Sequence, residues 1–108
     1  MSLYNLNNEE IAIVGECLKA AVYGPFFDNE EFYTLFGVYR EEAKTISDTF
    51  PEVDESDDEA DGNDNSWLVI NNTFANLLGY PHGMESEWPK YISASKSKVS
   101  EIFKKWRE

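Results

Sequence analysis

The sequence contains one cysteine and one histidine, and these low counts restrict the chemistry that the chain can perform. With Cys17 alone, no disulfide can form within the chain, which favours a reducing compartment, and we expect a cytoplasmic protein. One cysteine and one histidine cannot complete a four-ligand zinc site. Cys17 also lies on the apolar side of a predicted helix, which favours a buried, unreactive thiol. We therefore expect no catalytic residue, no metal site and no cofactor.

Long apolar runs and phosphate-binding loops are also missing from the sequence. The longest uninterrupted aliphatic or aromatic runs, such as residues 67–70, span four positions, whereas a membrane-spanning helix needs about 20 apolar residues. The glycines follow no phosphate-loop spacing. These absences predict a protein that does not insert into membranes and carries no recognisable nucleotide site.

Basic residues are scarce in the first part of the chain. The net charge is −12, and its distribution is uneven: residues 1–66 carry 17 acidic and 3 basic residues, whereas residues 67–108 carry 4 acidic and 6 basic residues. Residues 52–65, the acidic segment, hold eight carboxylates and no basic residue. Such a charge distribution repels nucleic acid and anionic membranes and attracts basic proteins. We expect no nucleic-acid binding, and the partner class that fits is a basic protein.

Helix-capping patterns occur in the sequence outside the acidic segment. An N-cap residue followed three positions later by glutamate occurs twice, as Asn7 with Glu10 and as Asp28 with Glu31, and each pair has the spacing of a capping box. Apolar residues recur at helical spacing after each cap. The first of these helices is apolar on most sides, which places it at the centre of a bundle, and Gly24 marks its end.

Three more helices follow from the same periodicity. They cover roughly residues 39–50, residues 67–78 and a final segment that Ser93 or Ser95 caps, in which Glu101 and Lys105 are spaced to form an ion pair. Residues 80–95 read as a loop, and a short buried strand at residues 67–70 is an alternative, because valine and isoleucine favour strands. The sequence therefore predicts one all-α domain, residues 1–108, built as a bundle of about five helices. The acidic segment, 52–65, forms a long and mobile loop between the third and fourth helices.

The acidic segment has three interpretations. For a calcium loop, Asp57, Glu59 and Asp61 would occupy ligand positions 1, 3 and 5, but position 12 falls on Leu68, where a glutamate is required. An ordered calcium site is therefore not expected. A solvated tether is the interpretation that the composition favours, and a contact surface for a basic partner is the functional alternative. The candidate contact residues in it are Asp54, Glu55, Asp57, Asp58, Glu59 and Asp61.

Aromatic residues occupy the joints between helices, where polar residues are usual. Three of the four prolines follow an aromatic residue, at positions 50–51, 80–81 and 88–89. These rings either close the ends of a small bundle or form a partly exposed binding patch. The candidate patch residues are Phe26, Tyr80, His82, Trp88 and Tyr91.

Two stretches resemble small bacterial proteins of about this length for which no function is known: "CLKAAVYGPFFDNEEFYTLFG" and "NNTFANLLGYPHGMESEWPKYIS". This resemblance implies no activity and no cofactor. The composition and the closing "VSEIFKKWRE" are similar to those of colicin immunity proteins, which are small, acidic and helical. That similarity is an analogy and implies a protein that binds and inhibits another protein.

The expected function is a non-catalytic interaction module that binds a basic protein partner, as an inhibitor or immunity-like protein. The alternative is a small-ligand-binding protein or an enzyme, with a pocket around His82 and the neighbouring aromatic residues. The sequence leaves open whether the protein is a monomer or a homodimer.

The first testable prediction is that the acidic segment is dispensable for folding. Replacing residues 53–63 with a shorter Gly/Ser linker should leave the free energy of unfolding unchanged or raise it, because repulsion between like charges is relieved. Thermal and urea unfolding at low ionic strength measure this change. Loss of cooperative unfolding in the variant would show that the segment is structural.

Overall fold

Residues 2–53 and 65–108 are described by the computed structural model of the protein, and they form six α-helices preceded by a 3₁₀ turn, Leu3–Asn5. The helices are α1 (Asn8–Tyr23), α2 (Asn29–Phe36), α3 (Arg40–Thr49), α4 (Ser66–Gly79), α5 (Trp88–Tyr91) and α6 (Lys96–Trp106). These two ranges contain no β-strand. The all-α prediction is therefore confirmed, and the strand alternative at residues 67–70 is wrong. The acidic segment falls between α3 and α4, as expected, and its residues 54–64 lie outside the described ranges.

Val53 belongs to the predicted acidic loop, yet it packs against the hydrophobic core. A linker that replaced residues 53–63 would therefore remove an apolar contact together with the charges. If Val53 is kept and the replacement begins at residue 54, the change in stability reports the loss of the charged residues without the loss of this apolar contact.

The core lies between α1 and α4. Helix α1 contacts α3, α4 and α5, while α4 also contacts α2, α3 and α6. The central position predicted for α1 is thus shared with α4. Burial of each large apolar side chain contributes about 1.5–3 kcal/mol. The largest fully buried side chains are Trp106, Phe32, Phe36, Phe74, Leu18, Ile70, Leu77, Ile92, Ile102, Val14, Val69 and Val99.

One of the two predicted capping boxes forms. Asn7 Oδ1 accepts the Glu10 N–H at 2.8 Å, and Glu10 Oε1 accepts the Asn7 N–H at 2.9 Å. At α2, the Asp28 side chain makes no capping hydrogen bond. The Glu31 carboxylate instead accepts a hydrogen bond from the Tyr80 hydroxyl. The second box is wrong because a residue distant in the sequence engages the glutamate that would complete it.

An ion pair joins the first turn of α1 to the last turn of α6. Lys105 Nζ lies 2.7 Å from both carboxylate oxygens of Glu10, whose residue is 4% exposed. This hydrogen bond, together with the one from the Asn7 N–H, holds the pKa of the Glu10 carboxyl below its ordinary value. The predicted partner of Lys105 was Glu101, which instead lies 3.9 Å from Lys98. Lys105 thus pairs with Glu10 of α1 and not with Glu101 on its own helix, because the fold brings the last turn of α6 to the first turn of α1.

A one-turn helix, α5, lies within the segment 80–95 that the sequence predicts as a loop. Pro89 occupies its first turn, where a missing backbone N–H costs nothing. The Trp88 carbonyl accepts the Ile92 N–H at 2.9 Å, and the Trp88 indole N–H donates to the Ala94 carbonyl at 2.7 Å. Both the carbonyl and the indole N–H of Trp88 therefore have hydrogen-bond partners.

Two asparagines of α4 bind the end of α2. Asn76 Nδ2 donates to the Leu35 carbonyl and Asn72 Nδ2 to the Phe36 carbonyl, each at 2.9 Å. Carbonyls in the last turn of a helix lack partners within that helix, so these bonds cap α2 from a neighbouring element. Gly37 then turns the chain with a φ of +79°, which a glycine adopts without strain.

Arg40, the first residue of α3, binds the end of α1 and the connection that follows it. Its Nη1 donates to the Val22 carbonyl at 2.6 Å and to the Ala21 carbonyl at 3.3 Å. Its Nη2 donates to the Phe27 carbonyl. A cation is favoured at the C-terminal end of a helix because the helix dipole is negative there.

The same guanidinium also fixes the start of α2. Arg40 Nε donates to Asn29 Oδ1, and the guanidinium carbon lies 4.5 Å from the centroid of the Phe32 ring. Burial lowers the pKa of the Arg40 guanidinium, and the nearby carboxylates of Glu41 and Asp28 act in the opposite direction. Arg40 therefore joins three helices and one connection through a single planar group.

We predict that Arg40→Lys lowers the free energy of unfolding by about 2–3 kcal/mol, because a lysine cannot reproduce several directed bonds of a guanidinium. Urea unfolding measures the difference. The matched control is Arg107→Lys, at an exposed position after α6, which should change the stability by less than about 0.5 kcal/mol. Equal effects of the two substitutions would contradict the role assigned to Arg40.

Candidate functional site

The connection between α1 and α2 brings together four of the predicted patch residues. The Phe26 ring lies 5.1 Å from the His82 ring, 5.8 Å from the Tyr91 ring and 6.3 Å from the Trp88 ring, measured between centroids. All three contacts are edge-to-face, which is the favoured geometry for such pairs. We call these four residues the Phe26 cluster.

Most of the Phe26 cluster is not available to a partner. Phe26 is 3% exposed and Trp88 is 7% exposed, whereas Tyr91 is 40% exposed. A partner could contact Tyr91 directly, but it could reach Phe26 or Trp88 only after rearrangement of α5. The rings therefore close one end of the bundle, and the surface that they offer is small.

Tyr80, the fifth predicted patch residue, lies to one side of the cluster. Its ring is 5.9 Å from the Phe27 ring, and its hydroxyl donates to the Glu31 carboxylate. That hydrogen bond raises the pKa of the Tyr80 hydroxyl. Tyr80 therefore serves as a contact between the start of α2 and the segment after α4.

His82 uses both ring nitrogens in hydrogen bonds to the backbone. Its Nδ1 accepts the Met84 N–H at 3.0 Å, so the ring hydrogen is assigned to Nε2, which donates to the Leu77 carbonyl at 3.1 Å. A general base or a metal ligand needs one free nitrogen. His82 thus stabilises the turn after α4 and offers no nitrogen for chemistry.

A cleft of about 140 Å³ adjoins His82. Pockets that bind small molecules usually measure about 300–1,000 Å³, so this cleft is small for a ligand. In the parts of the chain that the structure describes, no group of three or more histidine, cysteine or acidic side chains is arranged to hold a metal ion. The cleft beside His82 is lined by Pro25, Phe26, Asp28, Glu31, Tyr80, Pro81, His82 and Met84.

Cys17 is fully buried in α1, as the sequence predicts. Burial raises the pKa of its thiol to about 12, and the neighbouring Glu16 acts in the same direction. The thiolate is the reactive form of cysteine. Cys17 is therefore a core residue and not a nucleophile at neutral pH.

The six acidic contact residues of the prediction all fall within residues 54–64, outside the described ranges: Asp54, Glu55, Asp57, Asp58, Glu59 and Asp61. Their role stays a prediction. The described neighbours of this stretch are Val53, which packs on the core, and Asn65, whose side chain donates to a carboxylate oxygen of Glu42 at 2.8 Å.

A groove along α1 is the surface that sequence reasoning missed. It has a volume of about 420 Å³, and we call it the α1 groove. A signal for it does exist, because Gly15 interrupts an otherwise regular apolar helix. A Cβ at Gly15 would lie 3.3 Å from the Phe50 ring, so the glycine lets this ring approach the helix backbone. The groove is lined by Asn8, Ile11, Ala12, Gly15, Glu16, Lys19, Phe50 and Pro51.

Comparison with known proteins finds no match to this chain among protein-family models, curated proteins or solved structures. Among the helices at residues 2–53 and 65–108, none combines the length and the apolar character that crossing a bilayer requires.

We predict that Cys17 is not modified by iodoacetamide at pH 8 in the folded protein, because a thiol with a pKa of about 12 is protonated there and is also inaccessible. Mass spectrometry after a timed reaction measures the modified fraction. The same chain in 6 M guanidinium is the control and should be labelled completely. Rapid labelling of the folded protein would contradict the buried assignment.

Proposed function

We propose that this protein is a non-catalytic, cytoplasmic interaction module that binds a basic protein partner. The observation that carries the proposal is the charge distribution, with 17 acidic and 3 basic residues in residues 1–66. The described part of this region exposes most of its acidic residues to solvent, where they can attract a cation at long range. The exposed acidic residues of the described range up to residue 53 are Glu9, Asp28, Glu30, Glu31, Glu41, Glu42, Asp48 and Glu52.

The groups that most often perform catalysis are occupied in this structure, which supports a binding role over an enzymatic one. Both nitrogens of His82 are bonded to the backbone, and Cys17 is buried with a raised pKa. The cleft beside His82, at about 140 Å³, also lends little support to a small-ligand function.

An inhibitor or immunity-like role is the particular form of this function that the similarity to colicin immunity proteins suggests. An acidic protein can inhibit a basic one by covering its cationic surface. Electrostatic complementarity of this kind raises the association rate and suppresses wrong partners.

The test is affinity capture from the native cell, followed by kinetics with the captured partner. We expect a basic protein that is retained at low salt and released as the salt concentration rises, because exposed charges are screened beyond about 8 Å at physiological ionic strength. Neutralising the six residues Asp54, Glu55, Asp57, Asp58, Glu59 and Asp61 to Asn or Gln should slow association by about tenfold or more and leave dissociation nearly unchanged.

Two pairs of substitutions control for total charge. Asp57→Asn with Asp58→Asn removes two charges from the acidic segment, whereas Glu101→Gln with Glu108→Gln removes two exposed charges from the other part of the chain. Only the first pair should slow association clearly. Equal retention of the partner by the sixfold-neutralised variant at every salt concentration would show that the segment is only a tether and would overturn the proposal.

A further inference from the structure

We propose that the α1 groove is the anchoring site for that partner, and that it receives an aliphatic or aromatic side chain from a basic segment. This inference rests on the proposed function and assigns its contact surface. A charged surface alone directs the encounter, whereas lifetime depends on apolar side chains buried in pockets. The Phe26 cluster, in which Phe26 and Trp88 are buried, offers a partner only a small apolar area.

The floor of the α1 groove is one continuous face of the helix. The lining residues of α1 occupy positions 8, 11, 12, 15, 16 and 19, which recur at intervals of three and four residues and therefore share one side. Ala12 and Gly15 lie in the middle of this side: the small Ala12 side chain is exposed, and Gly15 lets the Phe50 ring approach the helix. Phe50 and Pro51 form the opposite wall. The result is an apolar depression on the solvent side of a helix whose other side is in the core.

A second depression extends the α1 groove toward the N-terminus. It measures about 230 Å³ and shares Ile11 and Pro51 with the first. Tyr4 lies at its edge and is 98% exposed, the highest exposure among the large hydrophobic residues described. Tyrosine is enriched among the residues that contribute most to protein interfaces. The remaining lining residues of this extension are Leu3 and Val53.

The charge around the groove selects the partner's chemistry. Glu16 lines the groove, with its Oε1 accepting hydrogen bonds from the N–H and hydroxyl of Ser93 at 2.9 and 2.8 Å, and the exposed Glu52 follows Pro51. Residues 2–53 carry 10 acidic and 3 basic residues, so the net charge of the described range that forms the groove is negative. Lys19 is the basic residue of the lining, and its ammonium lies 5.9 Å from the Tyr23 ring centroid. Apolar walls beside acidic residues fit an apolar side chain flanked by lysine or arginine.

A second copy of the chain is a poorer occupant. It would bring together two proteins of net charge −12. Like charges at close range oppose association. A basic segment gains from the same field that a second copy would have to overcome.

The experiment uses a synthetic amphipathic peptide as the probe, with leucine and tryptophan on one helical face and lysine on the other. An isomer of the same composition, scrambled so that no apolar face forms, is the matched control. Each is titrated into the full-length protein at low salt and followed by amide NMR shifts. We expect tighter binding of the amphipathic peptide, with the largest shifts at Ile11, Ala12 and Gly15.

Protein variants then locate the site. Ala12 and Ala75 are both exposed alanines within helices, but only Ala12 lines the groove. Ala12→Gln should weaken the amphipathic peptide about tenfold by filling the floor, whereas Ala75→Gln should change its affinity less than twofold. Tyr4→Ser, at a fully exposed position, should also weaken binding. Thermal unfolding of each variant checks that it is folded.

The possible results separate the two proposals. One result would be that Ala12→Gln lowers the affinity for the amphipathic peptide no more than Ala75→Gln does, while neutralisation of the acidic segment still lowers it. That result would contradict the assignment of the α1 groove and leave the proposed function intact. Equal affinity for the amphipathic and the scrambled peptide also overturns the groove. If neither peptide binds at low salt, the basic-partner function fails and the groove assignment fails with it.

Discussion

Arg40 brings one positive charge to the point where the end of α1, the connection after it and the start of α2 meet. Its guanidinium donates to carbonyls of Ala21, Val22 and Phe27 and lies over the Phe32 ring. Removing this charge from water is unfavourable, and the lowered pKa of Arg40 reflects that. The penalty is offset because carbonyls that the helix itself leaves without partners accept its hydrogens. The angles between the first three helices depend on this one planar group.

The position of the aromatic residues follows from that constraint. Arg40 holds the Phe27 carbonyl, and the rings of Phe26 and Phe27 both meet the His82 ring, at 5.1 and 6.1 Å, while Phe27 also meets Phe36 at 5.2 Å. The end of the bundle is thereby filled by rings. Such packing serves stability, and it leaves His82 as a residue of a turn. The α1 groove, in contrast, is an apolar surface that faces solvent.

Structural features that depend on residues within one helical turn could be predicted from the sequence, whereas contacts between residues distant in the sequence could not. The Asn7–Glu10 box and the Ser95 cap form as expected, because each requires only residues within one turn. The Asp28–Glu31 box fails because Tyr80, distant in the sequence, engages Glu31. The α1 groove needs Phe50 beside Gly15, which no periodicity indicates. A sequence pattern describes one helix well, but it carries little information on which helices meet.

The acidic segment and the α1 groove have different physical tasks in the proposed interaction. Charge acts over about 8 Å at physiological ionic strength and increases the rate of encounter, but exposed pairs contribute only about 0–1 kcal/mol each. A buried apolar side chain contributes about 1.5–3 kcal/mol and resists salt. A partner held by charge alone would dissociate quickly at cellular ionic strength. The α1 groove, lined by Pro51 just before the acidic segment, and its extension, lined by Val53, supply the apolar contact that charge lacks. In the proposed interaction, charge therefore directs the encounter and the groove retains the partner.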